Sequence, residues 1–170
     1  GQRLVAGGCA GIATTCGFLA PIRSRLAARL GVPVAASALE QAGQIQSLLP
    51  PGKTLGVLTI SKASLTAAHL QAAGVPDGTC VTGLEGSGFA GSILQNKDTL
   101  DVPAARAEMV DAAKRLVRAT PGTGAVLLEC TNMVPYAPDV HAATGLPVFS
   151  IYSYLTWFHQ SLQPPVFPAP

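Results

Sequence analysis

The chain has 170 residues, of which 48% are hydrophobic and only 12% are charged. A chain of this length and composition can bury a hydrophobic core, which excludes an intrinsically disordered protein. The net charge is only +2 and no cluster of lysines and arginines occurs, so we expect no nucleic-acid partner. The apolar runs are short and interrupted, and no secretory leader opens the chain, so we expect no membrane partner and a cytoplasmic location.

Six apolar segments are predicted strands, and they alternate with segments of helical periodicity. The strand segments are 11–15, 33–36, 54–60, 79–83, 124–129 and 147–151. Most are nearly continuous apolar runs, such as TLGVLTI and GAVLLE, which are typical of strands covered on both faces in a parallel sheet. Helices are predicted over 62–73, with Ser61 as N-cap, and over 102–119, with Asp101 as N-cap. The alternation of strands and helices predicts an α/β fold.

The sequence contains an internal repeat, which becomes visible when segments beginning at Cys16 and Cys130 are aligned. CGFLAPIRSRLAARLGVPV and CTNMVPYAPDVHAATGLPV share a proline, a glycine and a Pro-Val pair at a constant offset of 114 residues. Such an offset indicates an internal duplication. We therefore predict two pseudo-twofold-related halves, with 1–50 and 152–170 in the first and 53–151 in the second. Two predicted strands precede the second copy and none precedes the first, so we expect the first half to lack N-terminal strands.

Both cysteines of the repeat stand at the carboxyl end of a predicted strand, and a predicted helix begins within a few residues of each. In open α/β sheets this edge holds the ligand. The unpaired N–H groups of a helix N-terminus favour a thiolate and can hold a carboxylate, so we expect a lowered thiol pKa at Cys16 and Cys130. Two such thiols facing one cleft can remove a proton from one face of a carbon and return one to the other. We therefore predict that Cys16 and Cys130 are the catalytic acid and base.

Polar groups beside the two cysteines are the candidate substrate-binding groups, since they can donate to oxygens whose negative charge grows during the reaction. The candidates are Thr14, Thr15, Gly17 and Phe18 near the first cysteine, Thr131 and Asn132 after the second, and Thr59 at the end of segment 54–60. Cys9 and Cys80 are interpreted as core residues. Glu129 is interpreted first as a buried carboxylate with a structural partner and second as a group that adjusts the neighbouring thiol. The three histidines fall in helical patterns away from the strand ends, so none is assigned a catalytic role.

The motifs TTCGF and ECTNM, together with the two-copy plan, resemble the cofactor-independent aspartate/glutamate/hydantoin racemase superfamily. The resemblance extends over essentially the whole chain. It implies a two-domain α/β fold with a pseudo-dyad, a site between the domains, paired cysteines as the two bases, and no pyridoxal phosphate or metal. The first motif differs from the Cys-Asn-Thr typical of glutamate and aspartate racemases, and Asn132 stands where glutamate racemases carry a histidine. The resemblance therefore leaves the substrate open.

The leading hypothesis is a racemase or epimerase that acts on an amino acid or a related carboxylate or hydantoin. A small carboxylate-bearing molecule is then the expected partner, no cofactor or metal is expected, and a homo-oligomer is compatible with the sequence. On the same scaffold, a decarboxylase or a cis–trans isomerase of a small dicarboxylate is an alternative. From a different class, the alternative is a catalytically silent ligand-binding module. A thiol–disulfide oxidoreductase is a third alternative, which would need the two sulfurs close enough to bond.

Overall fold

The computed structural model describes residues 1–168, and its strands form two parallel sheets. The smaller sheet has two strands, Ile12–Ala13 (β1) and Val34–Ala35 (β2). The larger sheet has four, which in chain order are Thr54–Thr59 (β3), Cys80–Gly83 (β4), Thr123–Leu128 (β5) and Val148–Phe149 (β6). Their order across the sheet is β4-β3-β5-β6. Each predicted strand segment corresponds to one of these strands, although β5 begins one residue before the predicted segment 124–129. The predicted α/β class with parallel sheets is confirmed.

Helices connect the strands. In chain order the α-helices are Gln2–Ala6 (α1), Arg23–Leu30 (α2), Ala42–Leu48 (α3), Ala67–Ala72 (α4), Gly88–Leu94 (α5), Val102–Ala119 (α6), Ala137–Thr144 (α7) and Ile151–Leu162 (α8). Shorter 3₁₀ helices occupy Gly17–Ile22, Ala38–Gln41 and Thr131–Tyr136. None of the helices described for residues 1–168 is long and apolar enough to span a membrane.

The two helix predictions have different outcomes. Helix α6 has the predicted bounds and the predicted cap, because the N–H of Ala104 donates to Oδ1 of Asp101 at 3.0 Å. The prediction over 62–73 was wrong at its start, since α4 begins after Thr66. Ser61 caps a separate turn instead, in which its hydroxyl accepts from the N–H of Ser64 at 3.2 Å.

The internal repeat is retained in three dimensions at the same offset of 114 residues. In both copies a 3₁₀ helix leads into an α-helix, α2 or α7, which ends at a glycine in the left-handed conformation. These glycines are Gly31, with φ of 69°, and Gly145, with φ of 68°. A side chain would strain the backbone there, which explains why both copies carry glycine.

Strand pairing repeats as well. In the smaller sheet Ile12 pairs with Val34, and in the larger sheet Val126 pairs with Val148. Each residue of the second pair follows its counterpart by 114 positions. The two halves of the repeat therefore share one strand register, as expected for a duplicated βα unit.

The hydrophobic core lies on both faces of the larger sheet. In β5, Ala125 and Leu127 pack in the cluster on one face, whereas Val126 and Leu128 pack in the cluster on the other. This alternation explains the continuous apolar run in the sequence, because both faces of the strand are covered. Helix α6 covers one of the faces so closely that a Cβ placed on Gly56 of β3 would lie 2.7 Å from Cδ2 of Leu116.

The C-terminal helix α8 packs on the 3₁₀ helix Ala38–Gln41, although about 110 residues separate them along the chain. Nε2 of Gln41 donates to the carbonyl of Ser150 at 2.9 Å, and the hydroxyl of Tyr154 donates to Oε2 of Glu40 at 2.8 Å. The division of the chain into halves 1–50 plus 152–170 and 53–151 stays a prediction. Residues 169–170 of that division lie outside the described residues.

Candidate functional site

The two cysteines of the repeat lie in equivalent positions at the carboxyl ends of β1 and β5. Cys16 is the N-cap of the 3₁₀ helix Gly17–Ile22, and Cys130 is the N-cap of Thr131–Tyr136. Each cysteine carbonyl accepts the backbone N–H three residues on, at 3.1 Å in the first copy and 3.0 Å in the second. The same local sequence pattern thus presents a thiol at the same point of each half.

These two strand ends are in contact with each other. The hydroxyl of Thr131 donates to the carbonyl of Thr15 at 2.5 Å, which joins the residue after one cysteine to the residue before the other. In addition, the charge of Cys16 is one of the influences that raise the pKa of Cys130. The fold therefore gathers both cysteine segments at one edge of the molecule.

The environments of the two thiols differ. Cys16 is exposed, whereas Cys130 is partly buried and packs against the core cluster on one face of the larger sheet. Burial raises the pKa of Cys130 to about 11, and the charges of Glu129 and Cys16 act in the same direction. The N–H and the side-chain amide of Asn132 oppose this rise but do not cancel it. The expected lowering of the pKa is therefore wrong for Cys130.

The physical reason is the length and type of the helix that follows Cys130. The expectation assumed an α-helix beginning within a few residues of the cysteine, yet a six-residue 3₁₀ helix stands there and α7 begins only at Ala137. A short 3₁₀ helix has poorer hydrogen-bond geometry and few aligned peptide dipoles, so its N-terminal field is weak. Loss of hydration around the sulfur is then the larger effect.

Several of the candidate binding residues line this edge. The side-chain amide of the exposed Asn132 lies 3.9 Å from Sγ of Cys130, which is within range for a hydrogen bond to sulfur. Thr15 is exposed and Thr131 is partly buried. Thr14 is turned toward the smaller sheet, because its hydroxyl donates to the carbonyl of Ala36.

The other candidates lie beneath the edge or beside it. Gly17 and Thr59 are both buried, and the side chain of Thr59 is 0% exposed. Phe18 is partly buried, and its ring meets the ring of His69 edge-on with 5.3 Å between the centroids. Substrate binding by the seven candidates stays a prediction, and among them Asn132 has an exposed side chain within hydrogen-bonding range of a thiol.

Glu129 is a buried carboxylate at the centre of this arrangement. It is 2% exposed, and its Oε2 accepts the hydroxyl of Thr59 at 2.8 Å, so the interpretation as a buried group with a structural partner is confirmed. Burial raises its pKa, although the Thr59 hydroxyl and the N–H of Ile60 act in the opposite direction. Neither of the two ion pairs found within residues 1–168 includes it.

Two histidines lie closer to the strand edge than the sequence analysis expected, and that expectation was wrong for them. His69 of α4 packs against Phe18, two residues after Cys16, and its Nδ1 lies 2.8 Å from the hydroxyl of Thr66. His159 of α8 lines a cavity together with Thr15 and Thr131. The periodicity placed both histidines on helices correctly, but it carries no signal that α4 and α8 fold back over the strand ends.

That cavity has a volume of about 590 Å³ and opens between the strand edge and α8. Its wall is mainly apolar and includes Pro135, Ile151 and Leu155. Neither Cys16 nor Cys130 is among the residues that line it in the described part of the chain. Among residues 1–168, no group of three or more His, Cys, Asp or Glu side chains is close enough together to hold a metal ion.

Comparison with known sequences identifies relatives along most of the chain. A sequence profile of the family described as Asp/Glu/Hydantoin racemase matches residues 1–158. The chain is 28% identical over 145 residues to a dimethylsulfoniopropionate lyase of Durusdinium sp. clade D, covering 81% of the chain and 48% of the relative. It is 31% identical over 153 residues to dimethylsulfoniopropionate lyase 6 of Emiliania huxleyi, covering 84% and 39%. The chain thus spans less than half the length of these curated relatives.

Solved structures with the same fold include arylmalonate decarboxylase, with a TM-score of 0.65 at 20% identity over 99% of this chain and 75% of that one. Allantoin racemase from Pseudomonas fluorescens has a TM-score of 0.58 at 21% identity, over 77% and 52% of the two chains. A glutamate racemase isoform from Bacillus anthracis has a TM-score of 0.55 at 13% identity, over 95% and 65%. These identities establish the shared fold alone. With its duplicated βα units and a profile match over residues 1–158, the chain belongs to the Asp/Glu/Hydantoin racemase family.

Proposed function

We propose that this chain carries the thiol pair of a cofactor-independent racemase or epimerase, which moves a proton at a carbon next to a carboxylate. The observation that supports this most directly is the hydrogen bond that joins the two cysteine segments, from the hydroxyl of Thr131 to the carbonyl of Thr15 at 2.5 Å. Cys16 and Cys130 come from different copies of the repeat, yet this bond joins a neighbour of one to a neighbour of the other, and the charge of Cys16 acts to raise the pKa of Cys130. A charge on one of two neighbouring thiols disfavours a charge on the other, so the arrangement favours a state with one thiolate and one thiol.

A pair in that state suits stereochemical inversion. The thiolate takes the proton from one face of the α-carbon, and the electron pair left behind spreads onto the oxygens of the carboxylate. The thiol then donates its proton to the opposite face, so one proton leaves the carbon and another arrives. The reverse reaction uses the same two groups with their roles exchanged. The reaction consumes no oxidant and no co-substrate.

The expected partner is a small molecule with a carboxylate or an equivalent carbonyl group. Donors at the strand edge can stabilise the oxygens of such a group as their charge grows. The side-chain amide of Asn132 stands beside the sulfur of Cys130 and is exposed. We therefore assign it to the substrate carboxylate, together with Thr15 and Thr131, whose hydrogen bond joins the two strand ends. A cytoplasmic location and a possible homo-oligomer stay predictions.

A lyase is the second candidate, and the curated relatives favour it. They are named dimethylsulfoniopropionate lyases and are 28–31% identical to this chain. Removal of the proton next to the carboxylate is again the first step in such a β-elimination. The electron pair then forms a carbon–carbon double bond while the β carbon–sulfur bond breaks and the sulfide leaves. A decarboxylase on this fold, as in arylmalonate decarboxylase, is a further alternative that needs one proton donor.

One experiment separates these reactions. The chain is incubated in deuterated buffer with single enantiomers of amino acids and hydantoins, with dimethylsulfoniopropionate, and with a substituted malonate, and NMR follows the products. Racemisation places deuterium on the α-carbon and yields both configurations. Elimination yields an alkenoate and a sulfide without inversion, and decarboxylation releases carbon dioxide.

Four cysteine variants show whether the thiol pair is responsible. We expect Cys16→Ser and Cys130→Ser each to lower the rate at least about a hundredfold, as for loss of a general acid or base. Cys9→Ser and Cys80→Ser are the matched controls and should keep the rate of the unmodified chain. If both Cys16→Ser and Cys130→Ser retain deuterium exchange at the α-carbon, the two-thiol mechanism is wrong.

A further inference from the structure

We propose that Glu129 is a positioning residue that holds Cys130 in its protonated form, so that the two thiols have fixed roles. Cys130 then begins the reaction as the acid and Cys16 as the base. The assignment of these roles rests on the proposed function. The effect of Glu129 on the Cys130 thiol does not, and it can be measured without any substrate.

The contacts of Glu129 connect it to both cysteine segments. It follows β5 and immediately precedes Cys130 in the chain. Its Oε1 occupies the space beside Gly17, the residue after Cys16, where an added Cβ would lie only 1.7 Å away. Its Oε2 accepts the hydroxyl of Thr59 at the end of β3. The carboxylate is thus wedged between the ends of β3 and β5 and the 3₁₀ helix that follows Cys16.

No cation compensates the charge of this carboxylate within the described residues. The two ion pairs found there join Arg23 to Glu40 and Arg106 to Asp139. The neutral donors to Glu129 are the Thr59 hydroxyl and the N–H of Ile60. A buried charge without a counter-ion acts strongly on its neighbours, because little water is present to screen it.

The other titratable side chains on the surrounding elements are engaged elsewhere. Glu40 accepts the N–H of Ala36 and the hydroxyl of Tyr154, and Glu85, after β4, accepts the N–H of Ala63. His69 of α4 packs on Phe18 and bonds Thr66, and Tyr136 in the 3₁₀ helix after Cys130 packs edge-on against Phe89. None of them is hydrogen-bonded to Glu129, whereas its charge is among the causes that raise the pKa of the adjacent Cys130 thiol.

The direction of the effect follows from the sign of the charge. Burial is the largest cause of the raised pKa of Cys130, and the negative charge of Glu129 raises that pKa further. Cys16 is exposed, so water can solvate a thiolate on its sulfur. A thiolate on Cys16 then raises the pKa of Cys130 further. Of the two, Cys130 is therefore the thiol that keeps its proton.

Because the two thiols have fixed roles, the two directions of the reaction start from protonation states of different free energy. After one turnover Cys16 carries the proton taken from the substrate, and Cys130 is a thiolate beside the charge of Glu129. A proton must then move through solvent from Cys16 to Cys130 before the next turnover of the same substrate enantiomer. The opposite enantiomer must start from the less stable state, with the thiolate on Cys130.

The test is alkylation of the full chain by iodoacetamide over a range of pH, with each cysteine followed separately by peptide mass spectrometry. In the unmodified chain we expect alkylation of Cys130 to rise only at higher pH than that of Cys16. In Glu129→Gln, which removes the charge and keeps the size, alkylation of Cys130 at pH 8 should increase about tenfold, equivalent to one pKa unit. Glu129→Asp keeps the charge and should restore the slow reaction.

Glu85→Gln is the matched control, since it removes a carboxylate at the next strand end and should leave the Cys130 profile in place. If Glu129 only supports the fold, Glu129→Gln will lower the melting temperature without moving that profile, and the proposal is overturned. If the substituted chain does not fold, the unmodified chain still decides, because alkylation of Cys130 at lower pH than Cys16 contradicts the proposal. If alkylation of Cys130 shows the expected pH dependence but no substrate exchanges its α-proton, the proposed function is overturned instead.

Discussion

The Glu129 carboxylate lies where a side chain at Gly17 would be, since a Cβ built on Gly17 would lie 1.7 Å from Oε1 of Glu129. Two residues that are distant in sequence are thereby matched: the glycine after the first cysteine leaves room for the carboxylate before the second. The first half and the second half therefore depend on each other at this point. Glycine is required here by the close approach of the carboxylate, and the residue is not among those with positive φ.

The first prediction follows from this close approach. Gly17→Ala should destabilise the protein by about 2 kcal/mol or more, because the added methyl group must displace a buried carboxylate and its bond to Thr59. Urea denaturation followed by circular dichroism measures the loss. The matched control is Gly91→Ala in α5, where an added Cβ meets no atom within 4 Å. That control should be neutral or stabilising by up to about 1 kcal/mol, and an equal loss in both variants would refute the explanation.

The second prediction uses the duplicated helix ends. Gly31→Ala and Gly145→Ala should each cost about 1 kcal/mol, because alanine is disfavoured at the positive φ that both glycines adopt. The two sites lie at equivalent positions in separate copies of the repeat, so the double variant should show about the sum. Asparagine tolerates this conformation better, so Gly31→Asn and Gly145→Asn should lose less. Denaturation curves of the five variants test this, and a loss confined to one copy would mean that the copies are not equivalent in stability.

The repeat is the part of the fold that the sequence predicted best. Cysteine, proline and glycine recur at one spacing because each is tied to a local requirement: the strand end, the 3₁₀ turn and the left-handed helix end. Gly31 and Gly145 are examples, since backbone geometry alone demands them. The strands were also predictable, because residues such as Ala125 and Val126 are buried on opposite faces and leave a continuous apolar run.

A helical pattern was predicted around His159, but the bounds of α8 were not, and the strand prediction extended to residue 151, where α8 begins. The segment IYSYLTWFHQSL is rich in aromatic and β-branched residues, which favour strands over helices. Its start is marked by a capping box between Ser150 and Ser153, with serine where glutamate or glutamine usually stands. Packing on the 3₁₀ helix Ala38–Gln41 stabilises α8 against this local preference.

The electrostatics of the candidate site could not be predicted from the sequence either. The positions of Cys16 and Cys130 at strand ends followed from the pattern, but the pKa of Cys130 depends on how deeply the folded chain buries its sulfur. The partners of Glu129 come from residues 59 and 17, far away in the chain. Local patterns contain neither the burial nor these long-range contacts.

The third prediction concerns the pH dependence of stability and has opposite signs for two glutamates. Burial raises the pKa of Glu129 in the folded chain, so its contribution to stability is fully present below the pKa of the unfolded chain, about 4.3, and is lost as the pH rises through the folded pKa. Glutamine does not ionise, so Glu129→Gln does not lose stability in this way as the pH rises. The stability of Glu129→Gln relative to the unmodified chain should therefore increase between about pH 4 and neutral pH.

Glu85 is the control of opposite sign. Its slight burial acts to raise its pKa, but backbone N–H groups and the Ser61 hydroxyl outweigh that effect and lower it. Its contribution is present above the unfolded pKa and is lost as the pH falls, so Glu85→Gln should become relatively less stable as the pH rises from about 3 to neutral pH. Urea denaturation of the three chains at pH values between 3 and 8 measures both slopes. If the stabilities of the two variants change with pH in parallel, the charge at Glu129 is no less favourable in the folded chain than in water. The influence on Cys130 that we assign to that charge would then lose its physical basis.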